Sequence, residues 1–156
     1  MKRAVLALAF AAAAAFPAQA RLGENEADTT ARYGPLLAAY NAGEQGFPYR
    51  TLSFFHAGYV IVAQFIGSGC DMVCFKKPNG EALTEDEIDL LLKSEAGGKN
   101  WSRSQLVSID LLWDRPDGAM ARYDVAKHAL AFCSPRYLKP YDARRKTDQK
   151  RQLENL

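Results

Sequence analysis

Apolar residues cluster in three close runs, Thr51–Phe55, Tyr59–Ile66 and Met72–Lys76. His56-Ala57-Gly58 and Gly67-Ser68-Gly69 separate them, and glycine supplies the positive φ that tight turns require. The stretch reads as a three-stranded antiparallel meander. Its middle run is apolar almost throughout, apart from Gln64. That suggests a central strand covered on both faces, or covered on one and partly exposed on the other.

A different period governs the flanks. Glu24–Tyr33 predicts a short helix, with acids early, Arg32 late, and Gly34-Pro35 to end it. Leu22, Ala27, Ala31 and Tyr33 would form its apolar face. Leu36–Tyr40 fits a strand or a continuation of that helix, and Asn41–Pro48 is a loop by composition. Thr84-Glu85-Asp86-Glu87 is a capping box, with Leu83 and Ile88 placed for a hydrophobic staple. It predicts a helix over Glu85–Glu95 that buries Ile88, Leu91, Leu92 and Ala96 and stops at Gly97-Gly98. Trp101, which follows a polar loop, reads as an anchor packing that loop onto the core.

Leu106–Trp113 alternates, which places Val107, Ile109, Leu111 and Trp113 on one face of a strand. Arg115-Pro116-Asp117-Gly118 is a turn. Ala119–Asp124 and His128–Cys133 are a further strand pair. Ser134-Pro135 resembles a helix start, and Asp142–Leu156 is charged with little apolar face. The expected fold is α+β: a largely antiparallel sheet of five or six strands with two short helices packed on one face. The expected core is Phe55, Val60, Val62, Phe65, Val73, Phe75, Ile88, Leu91, Leu92, Ile109, Leu111, Tyr123 and Phe132.

The N-terminus changes the setting. Residues 1–20 have a positive start (Lys2, Arg3), an apolar stretch Ala4–Phe16 and a small-x-small site at Ala18-Gln19-Ala20. This is the pattern of a secretory signal peptide cleaved after Ala20. It leaves 136 of the 156 residues, one domain over 21–139 and a basic tail over 140–156. Position 21 is arginine, which disfavours a lipid-anchored lipoprotein, and nothing later is apolar for long enough to span a membrane. The expected location is exported, periplasmic or secreted. Residues 134–156 carry seven basic and three acidic side chains, whereas the preceding body from Arg21 is net acidic. Arg144, Arg145, Lys146, Lys150 and Arg151 are the densest cations and suit an anionic surface. Export argues against nucleic acid.

Export would also place Cys70, Cys74 and Cys133 in an oxidising compartment, where three thiols allow one internal bridge. Cys74–Cys133 would join two strands. Cys70–Cys74 needs Cys70 to lie in the turn, because four residues of straight strand span about 13 Å. Both pairings stay open. The chain's two histidines, His56 and His128, lack metal-ligand spacing, so no metal or other cofactor is indicated. There is no Gly-x-Ser-x-Gly, no phosphate-cradling glycine loop and no His-Glu-x-x-His, so no catalytic residues are assigned.

The opening Arg21-Leu22-Gly23-Glu24, with Ala31-Arg32-Tyr33-Gly34-Pro35, resembles small exported bacterial proteins of unknown function. In those a Gly-Glu helix ending in Arg-Tyr-Gly-x-Pro precedes a meander, a capped Leu-Thr-x-x-Glu-Ile-x-x-Leu-Leu helix, a Gly-Gly-x-x-Trp and a basic tail. Leu83–Leu92 and Gly97–Trp101 match the later pieces here. Residues 22–77 are also similar to the outer-membrane assembly lipoproteins (SmpA/OmlA, BamE-like), and share a helix-on-sheet layout with β-lactamase inhibitor proteins. Export, the absence of catalytic motifs and these two resemblances together point to an exported, non-catalytic domain that binds another envelope or secreted macromolecule. The alternatives are a proteinaceous inhibitor of a secreted hydrolase, and a small hydrolase or thiol redox protein.

Overall fold

The computed structural model describes residues 22–106, 108–140 and 143. Residues 1–20, read above as a signal peptide, and Val107 and the tail cations Arg144, Arg145, Lys146, Lys150 and Arg151 lie outside the described residues.

The first helix, α1 (Glu26–Tyr33), starts at Asn25, whose side chain accepts from the Asp28 amide at 2.9 Å. It ends at Gly34, with φ 87°, whose N–H donates to the Thr30 carbonyl. Its buried residues are Thr29 and Tyr33, while Ala27 and Ala31 are exposed, contrary to the expected face. Thr29 can turn inward because its hydroxyl donates to the Asn25 carbonyl at 2.8 Å and leaves only its methyl to pack.

Eight strands follow: β1 (Leu36–Tyr40), β2 (Arg50–His56), β3 (Tyr59–Ile66), β4 (Gly69–Lys76), β5 (Ser102–Arg103), β6 (Leu111–Asp114), β7 (Met120–Asp124) and β8 (Ala129–Cys133). A second helix, α2 (Glu85–Ser94), lies between β4 and β5. All strand pairs are antiparallel, in one sheet ordered β1-β2-β3-β4-β8-β7-β6-β5. The α+β class is as expected, but eight strands replace the five or six. Leu36–Tyr40 pairs with β2, and β5 is only two residues long, too short to leave a period in the sequence. Among the described residues a helix followed by a four-stranded meander occurs twice, and the helical residues 135–140 follow the second. The two meanders share one seam, β4 against β8.

Local signals explain most element ends. Ala57 and Gly58 both have positive φ, the geometry of a two-residue hairpin between β2 and β3. Both bonds of the α2 capping box are present: Glu87 N–H to Thr84 Oγ1 at 3.2 Å and Thr84 N–H to Glu87 Oε2 at 2.7 Å. The turn before β7 closes with Gly118 N–H donating to the Arg115 carbonyl at 2.9 Å. Residues 135–140 are helical, and Ser134 Oγ accepts from the Tyr137 amide at 3.1 Å.

The core lies on the helix side of the sheet. Tyr33 of α1 packs on Phe54 and Phe75, and Ile88, Leu91 and Leu92 of α2 join the same cluster. Phe65, Val73, Phe75, Tyr123 and Phe132 are buried as expected. Phe55 is not: it is 51% exposed, and Leu52 and Phe54 point inward instead. Two adjacent phenylalanines leave the parity of the strand undetermined, and the hairpin turn sets it. Val60, Val62 and Leu111 are half-buried. Ile109 is 87% exposed, because the strand begins only at Leu111. Asp110 beside it is buried, accepting from the Val125 amide at 3.1 Å and from Arg122 Nε at 2.8 Å.

Arg115 ties α2 to the C-terminal meander. Its guanidinium donates to the Glu95 carbonyl at 3.0 Å and to both Asp117 oxygens, and lies 4.9 Å from the Trp101 ring centre. That contact holds the Asp117 carboxyl far below the usual carboxylate range. Trp101 is the expected anchor, packed 5.5 Å from Phe132.

Candidate functional site

The strand registers define what lies on the side of the sheet away from both helices. Ser53 pairs with Val62, Val62 with Cys74, Cys74 with Ala131, Ala131 with Arg122 and Arg122 with Leu112. One row toward the hairpin, Phe55, Val60, Lys76, Ala129 and Asp124 follow each other in the same way. One row the other way are Thr51, Gln64, Met72, Cys133 and Met120. The centre of this face is small and apolar, and its charges, Lys76, Arg122 and Asp124, sit toward one border and one end.

Among the described residues, one end of the face is closed. The ring of Tyr137, from the helical residues 135–140, lies 5.7 Å from that of Tyr49, and its hydroxyl donates to Gln64 Oε1 at 2.8 Å. Gln64 in turn donates to Thr51 Oγ1 at 3.3 Å, so both polar side chains are buried with partners. Arg136 binds Asp71 and the Ile66 carbonyl beside them. Beyond that contact Val60, Val62, Met72, Cys74, Ala131 and Cys133 stay half-buried although they lie mid-sheet, and Phe55 projects to solvent. The middle strand is therefore covered on one side and partly open on the other.

The helix side carries a shallow groove of about 350 Å³ between α2 and β6, lined by Leu92, Lys93, Lys99, Trp101 and Trp113. The Trp113 ring is already capped by Arg103, 4.8 Å from its centre. A smaller depression beside the β2–β3 hairpin holds the Lys77–Glu87 ion pair at 2.9 Å, whose charges satisfy each other.

The residues weighed for chemistry are scattered. The His56 ring lies 5.9 Å from that of Tyr33, and His128 Nδ1 is 2.7 Å from the Gly80 carbonyl oxygen, 48 residues away in sequence. Among the described residues no group of three or more histidines, cysteines and acids could hold a metal ion. The cysteines are three free thiols. Cys70 is in the core, while Cys74 and Cys133 are on the open face, diagonal to each other across β4 and β8. Burial pushes the Cys74 thiol up to about 11, and those of Cys70 and Cys133 up to about 12, so little thiolate forms at neutral pH. No described helix is long and apolar enough to cross a membrane.

The Asp71–Arg136 pair was not singled out from the sequence, and of the open face Cys74 and Cys133 were named only as bridge candidates and Phe55, Val60 and Val62 only as core. The face had a signal, the run of β3 that is apolar apart from Gln64, which only the register could resolve. No protein-family model, curated protein or solved structure matches the chain.

Proposed function

We propose that this chain is an exported, non-catalytic domain that binds another envelope or secreted protein through the open face of its sheet. One observation carries the reading: a mid-sheet surface of apolar and small neutral side chains that no described element covers. Beyond the end that Tyr137 closes, the face crosses β2, β3, β4, β8 and β7, five strands or roughly 24 Å. A neutral centre with charges toward its border is also the composition of a protein-binding surface. The signal-peptide pattern supports export. The basic tail adds a second contact, to an anionic surface.

Co-purification of the protein from its own cell envelope tests this, with and without residues 140–156. The expected result is a reproducible partner retained by both forms, more weakly by the shorter one. Retention of nothing reproducible contradicts the reading. Retention by the full chain alone moves the contact to the tail.

Inhibition of a secreted hydrolase is the second reading, favoured by Leu106 and Ile109, both exposed between β5 and β6. An exposed apolar loop of this kind suits an enzyme cleft. Titration against β-lactamases, proteases and lysozymes should then find one enzyme inhibited by the protein and spared by I109A. A panel left unaffected rejects it.

A further inference from the structure

We propose that Cys74 and Cys133 close to a reversible disulfide that latches the two meanders together across their shared seam. The two halves of the sheet pair with each other only where β4 meets β8. Met72 faces Cys133 in that ladder and Cys74 faces Ala131, so the two cysteines are diagonal neighbours on the same face. Each is half-buried there, within reach of a small disulfide.

The third thiol is removed from the competition. Phe65 pairs with Cys70 while Gln64 pairs with Met72, so Asp71 is an extra residue in β4. The slip turns Cys70 into the core on the helix side, its thiol against the Met72 carbonyl at 3.4 Å. Cys70 and Cys74 therefore lie on opposite faces, although only three residues separate them.

The diagonal placement predicts a labile bond. Diagonal cross-strand neighbours have α-carbons about 7–8 Å apart, against about 4.4–6.8 Å in ordinary disulfides. Closure needs β4 and β8 to shift by about an ångström, and a bridge held under such strain is easily reduced. The oxidant is a low-molecular-weight disulfide such as glutathione disulfide. The Cys74 thiolate attacks one of its sulfurs and expels one glutathione thiolate. The Cys133 thiolate then attacks the Cys74 sulfur and expels the second. Two protein thiols lose two electrons and two protons, and one disulfide becomes two glutathione thiols. Burial keeps both thiols protonated at pH 7, so closure should quicken about tenfold per pH unit from 7 to 9. The inference does not depend on the binding reading.

The test is to incubate the purified, reduced protein with glutathione disulfide, quench with acid, alkylate and map the peptides. The expected product is a monomer with one alkylated thiol, Cys70, and a peptide pair linked through Cys74 and Cys133. Dithiothreitol restores three thiols, and either C74S or C133S abolishes the link. Three alkylatable thiols after oxidation, a link through Cys70, a link between chains, or glutathione left on Cys74 or Cys133 would each overturn it. The wild-type map decides alone if a variant fails to fold.

Discussion

Between Gln64 and Phe65 the pairing of β3 with β4 slips, and Asp71 is the residue left over. Its backbone carbonyl accepts from the Ser134 amide at 2.8 Å. Its carboxylate accepts from the Ser134 hydroxyl at 2.6 Å, the Ile66 amide at 3.2 Å and Arg136. Burial alone would raise this carboxyl. The hydrogen bonds from Arg136, Ser134 and Ile66 outweigh it and hold the group below its usual range. A depressed carboxyl stabilises the fold above its unfolded value of about 3.9, and that gain is lost as pH falls through the folded value. Asp71→Asn should therefore cost about 1–3 kcal/mol at pH 7, and the deficit should shrink below about pH 4. Urea unfolding of both proteins at pH 7 and pH 3 checks this; a deficit of equal size at both would show that the charge plays no part. A milder effect is expected at Thr84, where alanine should cost about 0.5–2 kcal/mol through the lost cap. Unchanged thermal stability in that variant would mean that α2 does not depend on its capping box.

At the scale of elements, α2 is the piece most fully legible in the sequence. Its cap, staple, acidic first turn and stop are all local, so no tertiary information was needed. Its packing also follows from the 3.6-residue period, and Leu91→Ala should cost about 2–5 kcal/mol in chemical denaturation. A loss below about 0.5 kcal/mol would contradict its place in the core. The strands were less legible, because a period of two needs a starting parity. β2 contains Phe54 and Phe55 side by side, and only the Ala57-Gly58 turn decides which points inward. Around Ile109 alternation continues through residues that are not in a strand, since Asp110 folds back onto Val125 and Arg122. In α1 the more polar Thr29 displaced two alanines from the buried face, because its hydroxyl had a carbonyl within the same turn.

For the whole molecule, the class and the helix-on-sheet layering were legible, and the repeated meander was not. β4 and β8 are joined through long-range pairing that no local pattern encodes, and the open face exists only once that pairing is made. Its residues are distributed over six strands, from Ser53 of β2 to Leu112 of β6. For the same reason the candidate site could not be read from any motif, whereas the two histidines could be found at once and lie on separate parts of the fold, and which two cysteines share a face appeared only with the register. The proposed binding of a partner by this face has one direct test: retention of the envelope partner by the wild type, by V62R in the middle of the face, and by L90R on the exposed side of α2, after circular dichroism has shown all three folded. V62R should lose the partner by at least tenfold, and L90R should keep it. A folded V62R that retains the partner as well as the wild type would contradict it.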